Sequence, residues 1–283
     1  MSDGGAGKLL RSTLICCSPL VFGSALAADL PPAPDNPAKP QPIASAVRPY
    51  DIILEVGGGV AWRPAYEGAK SNEFSPTGIA TLHYLRLPGI GVVKEEGVKD
   101  YEGFSFGPSF RYVRKRDSND YPELRGLNNI DAAFELGGRF AYTFSMLRPW
   151  IAVRYGLGGH SGIVGETGLD FMFRPNAVTE FGIGPRASFA NSEYMKTYLG
   201  VTPAAALTSG LRPYQPGNGF KGAGLEFNGR YEFIPQWSVV GSFSYERFIG
   251  DAADSPIVKA GSADQYTARL GLSYKFGLKL FSE

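Results

Sequence analysis

From residue 50 onward, apolar and polar positions alternate one for one along much of the chain. In 131–144 one face carries Ala132, Phe134, Leu136, Gly138, Phe140, Tyr142 and Phe144, and the other Ala133, Glu135, Gly137, Arg139, Ala141 and Thr143. Successive side chains of a strand point to opposite faces, so a period of two predicts strand and excludes helix. The same alternation sets Phe104, Phe106, Phe110 and Tyr112 against Ser105, Gly107, Ser109 and Arg111 in 102–113. It recurs in 223–233, 237–246 and 266–276, where Leu225, Phe227, Trp237, Phe243, Leu270 and Tyr274 oppose serines and charged residues.

The alternating segments run 10–14 residues. Strands of soluble sandwiches are usually about 5–6 residues, whereas a tilted strand crossing a bilayer needs about 9–11. A soluble barrel turns its apolar residues inward. Here one face is aromatic and suits lipid, and the other is glycine, serine and opposed charges and suits a wet interior. The fold class expected is therefore all-β, a transmembrane antiparallel β-barrel spanning 50–283. Segments near 50–63, 78–88, 90–97, 102–115, 131–144, 147–158, 163–173, 179–190, 195–204, 222–234, 236–249 and 264–277 predict twelve strands, with ten as the alternative if 78–97 pairs incompletely. With both termini in the periplasm the count is even. Counting back from the last strand, the short turn at 234–236 is periplasmic and loops 205–219 and 250–263 are extracellular. The long stretch 116–130 then falls on the periplasmic side.

The first 27 residues predict a cleaved signal peptide: Lys8 and Arg11 precede the apolar run 12–27, which ends in the small-x-small pattern Ala25-Leu26-Ala27. Residues 28–49 hold seven prolines and predict a semi-stiff periplasmic linker. Both cysteines, Cys16 and Cys17, lie inside the signal, so the mature chain is expected to have neither disulfide nor thiol chemistry. The 28 basic and 27 acidic residues nearly cancel, which argues against a nucleic-acid partner. Together these features predict export to a bacterial outer membrane, with its lipid as the first partner.

Candidate chemistry is sparse. His160-Ser161 evokes a serine hydrolase, but Ile163 stands where the nucleophile elbow needs glycine, and neighbours on a strand face opposite ways. His83 and His160 are the only histidines, too few and too distant for a histidine metal site. The glycines of VGGGVAW, 56–62, lack dinucleotide-loop spacing and read as strand glycines that permit close approach. Asp251, Asp254 and Ser255 supply too few oxygens for calcium and read as a polar surface turn. No catalytic residue, cofactor or metal is expected, and the chain reads as a non-enzyme. The polar phase of the strands places Arg111, Glu135, Arg139, Glu226, Arg230, Glu232, Glu246, Arg269 and Lys275 toward the interior. Mixed signs at that density predict a lumen cross-linked by ion pairs. About twelve strands also enclose far less space than the 16–18 of a porin, leaving at most a narrow conduit.

Three stretches carry a resemblance: GGGVAWRPAYEG at 57–68, GPRASFANSEYMKTYLGVTPAAALTSGLRPY at 184–214, and GDAADSPIV at 250–258. The chain resembles the MipA/OmpV family of outer-membrane proteins, with Tyr66, Glu67, Gly68, Tyr194, Met195, Tyr198, Gly250, Asp251, Asp254, Ser255 and Pro256 as its motif positions here. The resemblance implies a scaffold rather than a catalyst. The family is named for an interaction with the lytic transglycosylase MltA, and a murein hydrolase and a murein synthase are the partners it implies. A narrow solute channel, or a surface protein in adhesion or antibiotic susceptibility, is the alternative.

Overall fold

The computed structural model describes residues 50–95 and 102–281; the expected signal peptide and proline-rich linker lie outside the described residues. The strands are β1 (Ile52–Pro64), β2 (Asn72–Leu87), β3 (Gly91–Glu95), β4 (Gly103–Val113), β5 (Ala133–Thr143), β6 (Leu147–Gly158), β7 (Ile163–Asn176), β8 (Thr179–Ala190), β9 (Gly219–Ile234), β10 (Trp237–Phe248) and β11 (Asp264–Leu278). They form one sheet in the order β3-β2-β1-β11-β10-β9-β8-β7-β6-β5-β4. Every pairing between neighbours is antiparallel. The first long strand and the last are therefore partners, from Ile52 opposite Leu278 to Trp62 opposite Ala268. The edges of the sheet, β3 and β4, approach each other.

The aromatic face is the outer one. Phe104, Phe106, Phe110, Phe140, Phe227, Phe243 and Leu270 are all exposed, while Glu55, Glu135 and Asp170 are buried on the opposite face. Curvature is recorded by the ion pairs. Arg230 of β9 reaches Glu55 of β1 across β10 and β11, and Arg111 of β4 lies 3.4 Å from Glu166 of β7. Strands three places apart in a flat sheet would be separated by about 14 Å, so the charged side is concave. The glycines of β1 let this wall close tightly: a Cβ on Gly59 would stand 2.1 Å from the Leu270 carbonyl oxygen of β11. The result is a transmembrane antiparallel β-barrel whose outer side is aromatic.

Four expectations are corrected. Segment 195–204 is not a strand: α1 (Ser192–Leu199) and the start of α2 (Pro203–Ser209) occupy it. Its apolar residues Tyr194, Met195, Tyr198 and Leu199 fall at helical spacing and are all buried, and Asn191 caps the helix by accepting from the Tyr194 N–H at 3.1 Å. The described sheet thus has eleven strands rather than twelve. Removing one strand also changes the parity of everything before it. Stretch 116–130 therefore lies at the same end as the loops after β1, β8 and β10, where Leu124 and Leu127 pack with Val201, Ala205 and Ile257. The short turns at 144–146, 177–178 and 235–236 form the other end. The 250–263 loop is not a simple polar turn either. It folds into α3 (Gly250–Asp254) and α4 (Pro256–Ala260), with Ala252, Ser255, Ile257 and Val258 buried.

Candidate functional site: the lumen and its cap

The long-loop end carries a cap made from four connections that are remote in sequence. Ile130, Val164, Tyr194, Met195, Tyr198, Leu199, Phe248, Ala252 and Val258 form one apolar cluster. Tyr66, Ala69, Leu124, Leu127, Val201, Ala205 and Ile257 form a second. Polar groups join them. Ser255 Oγ donates to the Leu199 carbonyl at 2.6 Å and accepts from the Ile257 N–H at 3.2 Å, so one hydroxyl caps α4 and ties it to the end of α1. Tyr66 donates to Glu123 at 2.8 Å. Gly68, at φ 89°, donates its N–H to Gln265 Oε1 at 3.2 Å, and its carbonyl accepts from Ser262.

The resemblance residues converge here. Tyr66, Gly68, Tyr194, Met195, Tyr198, Ser255 and Pro256 are buried in the cap. Glu67 accepts from the Tyr194 hydroxyl and from Lys221 Nζ at 2.8 Å. Asp251 accepts from the Gly217 N–H at 2.7 Å and Asp254 from Lys259 Nζ at 2.9 Å, on the outer rim, and Gly250 takes φ 54° at the start of α3. None of these carboxylates faces another in the geometry of an acid–base pair, and among the described residues no cluster of three or more His, Cys, Asp or Glu could hold a metal ion.

Below the cap, three buried carboxylates each gather cations. Glu135 receives a two-pronged bond from Arg111 at 2.7 and 2.8 Å, a third from Arg154 at 3.1 Å, and lies 3.3 Å from His160 Nε2. Asp170 takes Arg186 at 2.6 Å and Arg148 at 3.1 Å, with Arg139 at 3.9 Å. Glu55 takes Arg230, Ser273 and, at 2.6 Å, His83. Of the other charges read toward the interior, Glu226 lies 3.6 Å from Arg186, Glu246 accepts from Ser188, and Glu232 accepts from the Gln236 N–H at 3.3 Å. The side chains of Arg269 and Lys275 have no hydrogen bond or ion pair with any described residue.

Sequence reasoning missed Arg154, Glu166, Asp170, Arg186 and Lys221. For the first four the signal was present: in β6, β7 and β8 they sit on the polar phase of the alternation, opposite Ile151, Phe171 and Ile183. Lys221 of β9 instead shares the odd-numbered phase of Leu225 and Phe227 and turns inward only at the register shift beside Ser188. His160 gave no such signal, because the turn at 159–162 folds its ring back onto Glu135 and edge-on to Tyr194, centroids 4.9 Å apart.

Charge balance in the cap follows burial. Burial alone would raise the Glu67 carboxyl, but Lys221 and Arg111 more than offset it and hold it below the usual range. Burial, then Glu67, pushes the Tyr194 phenol well up. Burial pulls the Arg116 guanidinium down to about 10, and its Nη1 donates to the Tyr198 carbonyl at 2.7 Å.

The segments that build this cap lie within a match to the family described as MltA-interacting protein MipA, which covers residues 56–276. The chain belongs to the MipA family. Two curated relatives, the MltA-interacting proteins of Escherichia coli (strain K12) and Shigella flexneri, are each 29% identical to it over 169 residues. Those alignments cover 58% of this chain and 65% of each relative, just under two thirds of the relatives' length. Among solved structures, the COG4313 outer membrane channel from Pseudomonas putida F1 aligns with a TM-score of 0.43 and 10% identity, over 84% of this chain and all of that one. The NanC porin aligns with a TM-score of 0.35 and 9% identity, over 80% of this chain and all of that one.

Proposed function

We propose that this MipA-family barrel is a non-enzymatic scaffold of the outer membrane that docks a cell-wall enzyme, a lytic transglycosylase in the first instance and a murein synthase in the second. The observation that carries the reading is family membership together with relatives named for binding MltA. The architecture agrees with it. Ion pairs brace the interior at three levels and the cap packs over one end, which favours a rigid platform over an open pore. At the opposite end the short turns expose Ile90, Met146, Val178 and Ile234, apolar tips that a periplasmic partner would meet.

The test is direct binding between the purified full chain in detergent and a purified lytic transglycosylase from the same envelope. Saturable binding is expected, weakened at least tenfold by Met146→Asp combined with Ile234→Asp. No binding with the 28–49 segment present overturns the reading. The narrow-channel alternative instead expects stepwise conductance in planar bilayers.

A further inference from the structure

A cavity of about 290 Å³ lies between the cap and the strands beneath it, and eight basic against four acidic side chains line it. The whole chain carries a net charge of only +1, so this excess is local. All four acids already have a partner, with Glu67 Oε2 the one lining carboxylate oxygen, among the described residues, buried without one. Glu67 holds Lys221 and Tyr194, Glu166 holds Arg154 and Arg111, Glu226 faces Arg186, and Glu246 accepts from Ser188.

Two lining arginines are left over. Ala61 of β1 stands opposite Arg269 of β11, so Arg63, two residues on, projects from the same face at the diagonal position. Like charges so placed repel. The carboxylate directly across from Arg63 on β2 is Glu73, and it is taken by Arg114 at 3.3 Å and by the Tyr121 hydroxyl at 2.9 Å. Neither Arg63 nor Arg269 has an ion pair with any described residue, and Arg63 Nε is buried without a hydrogen-bond acceptor. The same holds for four more donors on residues lining the cavity, Arg116 Nε, Trp150 Nε1, Arg186 Nε and the Tyr198 hydroxyl. Surplus donors with no acceptor, in a chamber of positive sign, are the complement of an oxyanion, and guanidinium forks are the groups that hold carboxylate or phosphate oxygens in pairs.

We propose that this cavity is a binding site for a small oxyanion, a carboxylate or phosphate carried on a polar body, with Arg63 and Arg269 as its principal contacts. At 290 Å³ it sits at the small end of ligand pockets, about 300–1,000 Å³, room for one sugar-acid-sized molecule. The inference does not depend on the scaffold reading, and either can fail alone.

Calorimetric titration of the detergent-solubilised full chain tests it, with inorganic phosphate, glucuronate and glucose as probes at fixed ionic strength. Saturable binding of one molecule of phosphate or glucuronate per chain is expected, and none of glucose. Which of the two binds separates the phosphate source from the carboxylate source. Arg63→Gln and Arg269→Gln should each weaken binding at least tenfold, while Arg63→Lys, which keeps the charge and loses the fork, should weaken it less than Arg63→Gln does. As a check independent of variants, the bound probe should raise the melting temperature of the wild-type barrel above that in equal chloride. Absence of saturable binding by both anions, equal binding of glucose, or unaltered affinity in both glutamine variants overturns the proposal.

Discussion

Tyr194 shows how much of the cap hangs on single side chains. Its hydroxyl donates to Glu67 and accepts from Arg111 Nη2 at 3.1 Å, so one oxygen links a loop, a helix and the barrel wall. Tyr194→Phe removes both bonds and leaves charged groups under-satisfied, a loss of about 1–3 kcal/mol that equilibrium unfolding in detergent will read. Glu135→Ala is expected to be harsher, about 3–5 kcal/mol, because Arg111 and Arg154 lose their shared anion in a buried place. Acid should act through Glu67. Its folded-state carboxyl is held below the unfolded value of about 4.3, so its contribution is complete above that value and disappears as pH falls through the lower folded one. Amide exchange in 192–199 should therefore quicken below pH 4, and Glu67→Gln should flatten that response.

At the scale of elements, strands were legible wherever an aromatic face alternated with a charged one. Phe106 and Phe110 against Ser105 and Arg111 need no tertiary knowledge to assign. Phe106→Arg is accordingly expected to cost about 2–4 kcal/mol if it lies near the mid-plane of the bilayer, measured by folding into lipid vesicles. The cap was not legible in the same way. Residues 195–204 are about as long as a strand and as apolar, and only the four-residue recurrence of Tyr194 with Tyr198 and the Asn191 cap mark them as helix. Ser255 and Pro256 looked like surface turn because nothing local reveals that Leu199, 56 residues away, takes the serine hydroxyl.

For the molecule as a whole, the alternation conveyed the barrel and its polarity, but not its loop ends. One helix mistaken for a strand reversed the side assigned to 116–130, an error that strand counting cannot detect from within. The interior charges were read from the alternation of five segments alone, which left out Arg154, Glu166, Asp170, Arg186 and Lys221. Ion-pair partners were not legible, because Arg230 and Glu55 are 175 residues apart and meet only once the sheet has curled. A braced interior of this kind should pass little current: planar-bilayer recordings of the wild-type chain are expected to lack large steps. Ladder order has one more outcome. Because β1 joins the long run β4–β10 only by way of β11, the closing segment of the chain is the hinge-pin of the entire wall. A ribosome product cut short before residue 264 would leave two ribbons, β1–β3 and β4–β10, with no strand ladder between them, and is expected to fail to insert into lipid vesicles.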